Sequence, residues 1–187
     1  MQFQIGYGGW KMIRLLKKTS NGTLFWQAWK VNKQIYVLSG KLGEQGKEEE
    51  MPVGFFQSSK KVMNNLASEK VNQGYEYVDP KSLIKIAVQY RYEHEDQFEA
   101  AEEKSLFVED LLDDILHETG NGELYGSEIG DGAGITFCLV VDLELALKSF
   151  IKVLTDNQVI DGAEIAYLNK KETYTGIYPE GIVFELV

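Results

Sequence analysis

The 187-residue chain has few of the residues that build crosslinked, metal-bound or membrane-spanning proteins. Its single cysteine, Cys138, excludes an internal disulfide and any zinc site made of several cysteines. No apolar run approaches the roughly 18 residues of a membrane-spanning helix. The first residues show no charged stretch followed by an apolar block, so we expect no secretory signal peptide, a cytoplasmic location and no membrane partner.

The residues that are present have the proportions of a folded globular protein. Hydrophobic residues make up 44 % of the chain and charged residues 26 %, which is far from the composition of disordered or collagen-like sequences. Domains usually contain about 100 to 200 residues. The length therefore fits one domain or two small ones.

Charge is distributed unevenly along the chain. Residues 1–79 contain 11 Lys+Arg and 7 Asp+Glu, whereas residues 80–187 contain 8 and 22, so the halves carry charges of +4 and −14. Pro80 follows Asp79 at the change of sign, and both positions resist helix formation. We predict two domains, 1–79 and 80–187. The opposite charges indicate either two units that attract each other or two units with different partners.

The first half has the pattern of antiparallel strands followed by one helix. Asn21–Gly22 is a hairpin signal, the glycines at 40, 43 and 46 interrupt regular structure, and Gly74 stands where a helix C-terminal glycine would. Ser58 and Ser59 can cap the helix. The predicted elements are strands over 11–18, 24–31, 34–39 and 48–56 and a helix over 60–73.

The second half predicts the order β-α-β-β-α-β. Its strands cover 83–92, 123–129, 135–141 and 163–168, its helices cover 97–119 and 143–155, and the glycines of 130–134 form a tight turn. Asp142 can cap the second helix. A hairpin over 173–187, turning at 179–181, completes the chain. The acidic first helix carries an apolar stripe of Ala101, Leu106, Val108, Leu111, Leu112, Ile115 and Leu116.

Several motifs of the first half resemble the WGR domain family, over about residues 10–79. They are 38–47 with its three glycines, Phe55–Phe56, Glu69–Lys70 leading into Gly74–Tyr75, and the helix between them. This family occurs in DNA-break-activated poly(ADP-ribose) polymerases, where it contacts DNA ends and neighbouring domains, and in bacterial proteins. The resemblance implies a small antiparallel sheet with one helix and a nucleic-acid-binding or interaction module.

The namesake positions of the family differ here, with Ser39 for the tryptophan and Lys41 for the arginine. Serine offers no flat face for stacking on a base, and lysine keeps the charge without the planar fork of arginine. The residues we expect to contact phosphate are Lys41, Lys47, Lys60 and Lys61. The alternative is that these lysines form a solvated basic face.

The order of elements in the second half is the ferredoxin-like split β-α-β order. Its middle hairpin, 122–132, has a Gly-Glu…Gly…Gly pattern that resembles small bacterial ferredoxin-like domains, over about residues 81–170. No activity is attached to this pattern. The predicted fold class is therefore α+β, a WGR-like unit followed by an acidic ferredoxin-like β-α-β-β-α-β domain.

The residues able to perform catalysis are few and scattered. Cys138 lies in an apolar strand, where burial makes a thiol inert, and His94 and His117 are expected to be structural. The hairpin carboxylates Glu123, Glu128 and Asp131 match no calcium loop, and alternation places the first two on opposite faces unless a bulge intervenes. We expect core or hairpin-face positions for Trp10, Trp26 and Trp29.

These patterns predict a non-enzymatic binding module without cofactor or metal. The first hypothesis is weak nucleic-acid binding through the basic WGR-like half. The alternative is a protein-interaction or immunity-like protein whose acidic half binds a basic partner and mimics nucleic acid electrostatically.

Overall fold

A computed structural model of the chain describes residues 4–5, 11–54 and 58–187. Trp10, Phe55 and Phe56, which the sequence analysis used, lie outside the described residues. The protein is α+β, with two antiparallel sheets and, in the part described, three α-helices. It divides into unit 1, Met1–Ser82 with Glu118–Gly120, and unit 2, Leu83–His117 with Asn121–Val187.

The described residues of unit 1 form an antiparallel sheet with one α-helix. The strands follow each other in the order β1-β2-β3-β4-β5, and the short β6 also pairs with β2. The elements are β1 (Gln4–Ile5), β2 (Lys11–Thr19), β3 (Gly22–Val31), β4 (Gln34–Lys41), β5 (Lys47–Pro52), α1 (Ser59–Asn72) and β6 (Glu76–Tyr77).

One face of the unit 1 sheet and the helix α1 form the core of this unit. Alternation along the strands turns apolar side chains to a single face, where they meet Met63 and Ala67 of α1. Gly74 ends the helix region with a φ of +89°, a conformation that suits glycine. The buried strand residues of this core are Ile13, Leu15, Trp26, Ala28, Ile35 and Val37.

Most predicted elements of unit 1 are present, and four details of the prediction are wrong. The first hairpin turns at Ser20–Asn21, because Thr19 already pairs with Gly22. Gly40 lies inside β4 and does not interrupt it, and β5 ends at Pro52. Ser58 stands at the N-cap of α1 but makes no side-chain capping hydrogen bond.

Unit 2 has a five-stranded antiparallel sheet in the order β11-β10-β7-β9-β8. The predicted cap of its second helix is confirmed, because the Asp142 carboxylate accepts the Leu145 N–H at 3.0 Å. The elements are β7 (Ile84–Arg91), α2 (Phe98–Thr119), β8 (Gly122–Gly130), β9 (Ala133–Val140), α3 (Leu143–Asp156), β10 (Ala163–Leu168) and β11 (Tyr174–Tyr178).

The helices α2 and α3 share one core with a face of this sheet. The apolar stripe of α2 packs there with fully buried residues of α3 and of the strands β7, β9 and β10. Leu106 was wrongly predicted to belong to the stripe, since 59 % of it is exposed. Major buried members are Ile86, Val88, Leu112, Leu116, Phe150, Leu154 and Ile165.

The opposite face of the unit 2 sheet is covered by the chain itself. After the turn at 179–181, in which Ile182 N–H donates to the Pro179 carbonyl at 3.2 Å, residues 182–187 form no strand. The predicted hairpin is therefore wrong. Phe184 instead packs on the sheet face against Ala87, Ala166 and Phe137. We refer to residues 182–187 as the covering segment.

In the described part of the chain, no helix is both long enough and apolar enough to cross a membrane.

Candidate interaction surfaces

Two of the four predicted phosphate-contacting lysines form ion pairs in unit 1. Lys41, at the end of β4, lies 2.6 Å from Glu44, and Lys47, at the start of β5, lies 3.1 Å from Glu49. All four side chains remain about half exposed or more, so each pair contributes little to stability. The glutamates nevertheless place negative charge where a phosphate would have to bind.

The other two predicted lysines lie in the first turn of α1. Lys60 and Lys61 are exposed, and no acidic residue occupies that turn. The structure thus separates the four lysines into two groups on different elements, β4–β5 and α1. The pair on α1 has fewer acidic residues beside it along the chain than the pair on β4 and β5.

The glycines behind the WGR resemblance have a packing role. A Cβ on Gly46 would lie 2.7 Å from the Phe25 ring, and a Cβ on Gly40 would lie 3.1 Å from the Gly46 Cα. Gly43 has a φ of +82°, where a side chain is strained. Phe25 itself is fully buried. The spacing of these glycines is explained by the packing of the loop on Phe25.

A basic and aromatic group that sequence reasoning missed surrounds Tyr75. The ammonium groups of Lys17 and Lys70 lie 5.8 and 5.6 Å from the centroid of the Tyr75 ring, within cation–π range. Lys17 also donates to the Gln73 carbonyl at 2.7 Å. The signal available in the sequence was the Gly74–Tyr75 pair, but nothing in it pointed to β2 as the source of a second lysine.

The hairpin carboxylates do not converge on one point. A bulge between Leu124 and Gly126 shifts the register of β8, so that Glu123 faces Leu139 and Glu128 faces Ile135. The bulge thus places both glutamates on one face, but four residues of β9 separate their partners, a distance of roughly 13 Å. Among the described residues, no group of three His, Cys, Asp or Glu side chains could hold a metal ion.

Cys138 and the histidines occupy separate environments. Cys138 is fully buried in the helix-covered core, and burial raises the pKa of its thiol far above the ordinary range. His94 is exposed before a short 3-10 turn, where the Gln97 amide oxygen accepts its backbone N–H at 3.2 Å. His117 lies near the end of α2. The structure therefore does not bring a thiolate and an imidazole together on the surface.

The outward face of α2 is acidic. At its centre Leu106 and Phe107 are 59 % and 44 % exposed. Helical spacing of three and four residues places carboxylates on both sides of them. These carboxylates belong to Glu99, Glu102, Glu103, Asp110, Asp113 and Asp114. We refer to this group, with Leu106 and Phe107, as the acidic face.

Asp113 belongs to the acidic face, and its pKa is raised there. Partial burial raises the pKa of this carboxyl above its ordinary value, and the neighbouring charges of Asp114, Glu109 and Asp110 add to the increase. A backbone hydrogen bond from Leu124 acts in the opposite direction. The acidic face therefore carries charge that its own helix does not neutralise.

The lysine of α2 points away from the acidic face. Lys104 donates to the Asp161 carbonyl at 3.1 Å, and its ammonium lies 3.9 Å from the centroid of the Tyr90 ring. Burial lowers the pKa of Lys104, while Asp161 acts to raise it. The Tyr90 hydroxyl donates to the Val159 carbonyl at 2.7 Å, and burial raises the pKa of Tyr90. These contacts keep Lys104 inside the fold of unit 2.

A cavity of about 320 Å³ opens beside β10. Its lining includes Asp161, Glu164, Tyr178 and Ile182. The Glu164 carboxylate accepts the Arg91 Nε–H at 3.1 Å, so its charge is already matched. One carboxylate of the lining is thus committed to a structural ion pair, and the lining does not have the two free acids of an acid–base site.

No family model, curated protein or solved structure matches this chain. The WGR resemblance therefore stays a prediction that depends on the motifs quoted above.

Proposed function

We propose that this protein acts by binding, and that the acidic face of unit 2 docks a basic protein partner. The observation that carries the proposal is that exposed Leu106 and Phe107 lie among six carboxylate residues on one face of α2. Basic, amphipathic helices present the complementary pattern, an apolar stripe bordered by lysine and arginine. A partner of this kind covers the apolar side chains and neutralises the charge at once.

The free energy of unit 2 supports a role outside folding for this surface. Carboxylates spaced three or four residues apart on a helix repel each other and destabilise it by roughly 0.2 to 0.5 kcal/mol per pair. Glu99 and Glu103 form one such pair, and Asp110 and Asp114 form another. Exposed leucine and phenylalanine contribute nothing to the core. A bound cationic partner converts both features into favourable contacts.

Titration with a designed probe tests this proposal. The probe is a fluorescein-labelled 14-residue helix of leucine and lysine with apolar residues at helical spacing, measured by anisotropy against the full chain. We expect the triple variant E102Q/E103Q/D110N to weaken binding at least ten-fold. The matched variant E144Q/E172Q/E180Q removes the same charge from exposed positions elsewhere in unit 2. If both triples weaken binding equally, the attraction is due to net charge and the acidic face is not the docking site.

A second measurement separates charge from apolar contact. We expect Leu106→Ser to weaken binding of the same probe about as much at high salt as at low salt, because apolar contact is not screened. The effect of E102Q/E103Q/D110N should shrink as salt rises. Unchanged affinity for Leu106→Ser would leave only electrostatic attraction and would contradict docking of an amphipathic partner.

Weak nucleic-acid binding by unit 1 is the second candidate function, and two observations favour it. The motifs that resemble the WGR family imply it, and Lys60 and Lys61 are exposed in the first turn of α1, which contains no acidic residue. The cluster of Lys17, Lys70 and Tyr75 adds an aromatic ring. Phosphate contacts by such lysines supply affinity without sequence preference.

Anisotropy with labelled DNA tests the second candidate. The full chain is titrated against nicked, blunt and single-stranded DNA at about 50 and 200 mM salt, the range in which phosphate contacts show their salt dependence. We expect K60Q/K61Q to weaken binding, and K170Q/K171Q, which removes the same charge from exposed positions of unit 2, to leave it unchanged. Absence of salt-dependent binding to any of the three DNAs contradicts this function.

For unit 2 we infer a ferredoxin-like fold with one added strand. Support comes from the chain order β7-α2-β8-β9-α3-β10 and from the sheet order β10-β7-β9-β8, in which all neighbours are antiparallel. In this interpretation β11 extends the sheet beyond β10. A solved structure of unit 2 within the full chain tests the assignment.

A further inference from the structure

Three small residues, together with the larger Ile135 and Phe137, lie on the sheet face beneath the covering segment. Ala87 and Ala166 are fully buried in β7 and β10 under the ring of Phe184. In β11, a Cβ on Gly176 would lie 2.5 Å from Ile182 Cγ2 and 3.2 Å from Phe184 Cβ. Alanine and glycine are poor strand formers. Their side chains leave a depression on the sheet face that larger residues would fill.

Gln89 recognises the main chain of the covering segment. This glutamine is fully buried, and its side-chain N–H donates to the Glu185 carbonyl at 3.1 Å, while its side-chain oxygen accepts the Val187 N–H at 3.1 Å. Arg91 donates to the same Glu185 carbonyl at 2.6 Å. A carbonyl and the N–H two residues later point the same way only in extended backbone. These hydrogen bonds select extended backbone, and they involve no side chain of the covering segment.

Burial along the covering segment shows which of its side chains contact the sheet face. Phe184 is 9 % exposed and packs near Tyr174, with their ring centroids 5.8 Å apart, and Ile182 is half-buried. Val183 is 85 % exposed, and Leu186 is 43 % exposed. The required pattern is thus an apolar residue, any residue, and then an aromatic residue, in extended backbone.

The covering segment is held without the ladder of hydrogen bonds that joins paired strands. It pairs with no strand, and the contacts described above come from Gln89, Arg91 and the ring of Phe184. Segments with few buried contacts open locally at a small fraction of the free energy of global unfolding. Opening uncovers Phe137 and the alanines of the floor. It leaves Gln89 ready to bind another backbone.

We propose that this depression is a peptide-binding groove, and that its ligand is an extended segment of a partner protein with an aromatic anchor. The covering segment occupies the groove in cis and competes with the partner. The covering segment itself is the template for the ligand, since it shows the groove binding the Phe184 ring, the half-buried Ile182 side chain and main-chain atoms of residues 185 and 187. The groove lies on the sheet face opposite α2, so it is independent of the acidic face.

Binding of a synthetic copy of the segment tests the groove. The probe is the fluorescein-labelled peptide Ile-Val-Phe-Glu-Leu-Val, measured by anisotropy with the full chain. An internal competitor lowers the apparent affinity in proportion to its occupancy. We therefore expect Phe184→Ala, which weakens the competitor, to bind the peptide at least ten-fold more tightly than the native chain. Val183→Ala changes an exposed residue of the same segment and should bind like the native chain.

Two further variants locate the binding site. In the Phe184→Ala background, Gly176→Val fills the groove, and we expect peptide binding to be lost. The peptide with alanine in place of phenylalanine should bind F184A at least ten-fold more weakly. Circular dichroism establishes that each variant is folded. A folded F184A chain that binds the peptide no better than the native chain overturns the proposal, as does binding that survives Gly176→Val.

The native chain provides a measurement that does not depend on a variant. Excess unlabelled peptide should accelerate hydrogen exchange of residues 182–187 by displacing them, and unchanged exchange at a saturating peptide concentration contradicts displacement. A second copy of this chain also carries the segment. Concentration-dependent dimers of the native chain that are lost in F184A would assign the groove to a swapped dimer and overturn the assignment to a different protein.

Discussion

The two faces of the unit 2 sheet are covered in different ways. Against the helices α2 and α3 the sheet presents large aliphatic residues, and the shared core contains fully buried Phe150 and Leu154. On the other face Ala87, Ala166 and Gly176 lie beside the larger Ile135 and Phe137, and the cover is one segment anchored by Phe184. The first face has the packing of a permanent core. The second face is covered by a segment outside any strand, which is the feature that led us to propose a groove with an exchangeable occupant.

The largest effect is expected from a cavity on the helix-covered face. Phe150→Ala removes a fully buried ring of α3, and such changes destabilise proteins by about 3 to 5 kcal/mol. Urea denaturation monitored by circular dichroism measures the change in the free energy of unfolding of unit 2. A loss of less than about 1 kcal/mol would show that this face is loosely packed and would remove the contrast between the two faces.

A smaller effect is expected from the same kind of change on the segment-covered face. Phe184→Ala should lower the free energy of unfolding by about 1 to 2 kcal/mol, because the ring keeps some exposure and the segment can detach without unfolding the sheet. The same urea experiment measures it. If Phe184→Ala costs as much as Phe150→Ala, the covering segment belongs to the core and is not an exchangeable ligand.

The third effect on stability is expected at the N-terminus of α3. Asp142→Ala removes the carboxylate that accepts the Leu145 N–H at the start of α3, and loss of such a cap costs about 1 kcal/mol. Asp142→Asn keeps an acceptor and serves as the control. Equal losses for the two variants would indicate that the charge at this helix end matters more than the hydrogen bond.

The smallest expected effect is a pH-dependent change in stability that comes from Asp113 of the acidic face. Because the pKa of Asp113 is raised in the folded protein, the folded state binds its proton more tightly than the unfolded chain does. Its stabilising contribution is full below the unfolded pKa of about 3.9 and is lost as pH rises through the folded pKa. Asp113→Asn should therefore stabilise the protein near pH 7 and change little near pH 3.

Asp114→Asn is the matched control for this titration, since it removes a neighbouring charge from the same helix. Urea denaturation at both pH values gives the free energy of unfolding for each variant. Relief of repulsion is common to both substitutions, so the excess stabilisation in Asp113→Asn reports burial of its carboxyl. Equal changes at pH 3 and pH 7 for Asp113→Asn would contradict the raised pKa.

Periodicity predicted the elements of both units well, and it was wrong where burial did not follow from the local pattern. Leu106 lies three residues from Glu103 and four from Asp110, so its true face is the acidic one. Ile182 and Phe184 alternate with exposed residues as in a strand, yet their partner is a sheet face. Alternation of apolar and polar residues indicates that one side of a segment is buried, but it does not indicate which surface buries that side.

The candidate sites could be predicted only in part, because they depend on contacts between residues distant in sequence. The exposed lysines of α1 follow from a helix start with two lysines. The ion pair of Lys41 with Glu44 depends on the loop between them, and the groove depends on Gln89 meeting a segment almost one hundred residues later. No local signal marks a glutamine for that contact.

The burial of Cys138 provides a chemical probe for the opening of the helix-covered core. Its thiol is fully buried in the helix-covered core, where burial raises the pKa of the thiol, so an alkylating reagent reaches it only when that core opens. Detachment of the covering segment, on the opposite face, leaves it protected. The rate of alkylation in pulse experiments therefore measures the opening of the helix-covered core and does not respond to detachment of the covering segment. Because Cys138 is the sole cysteine in the sequence, this measurement needs no engineered label.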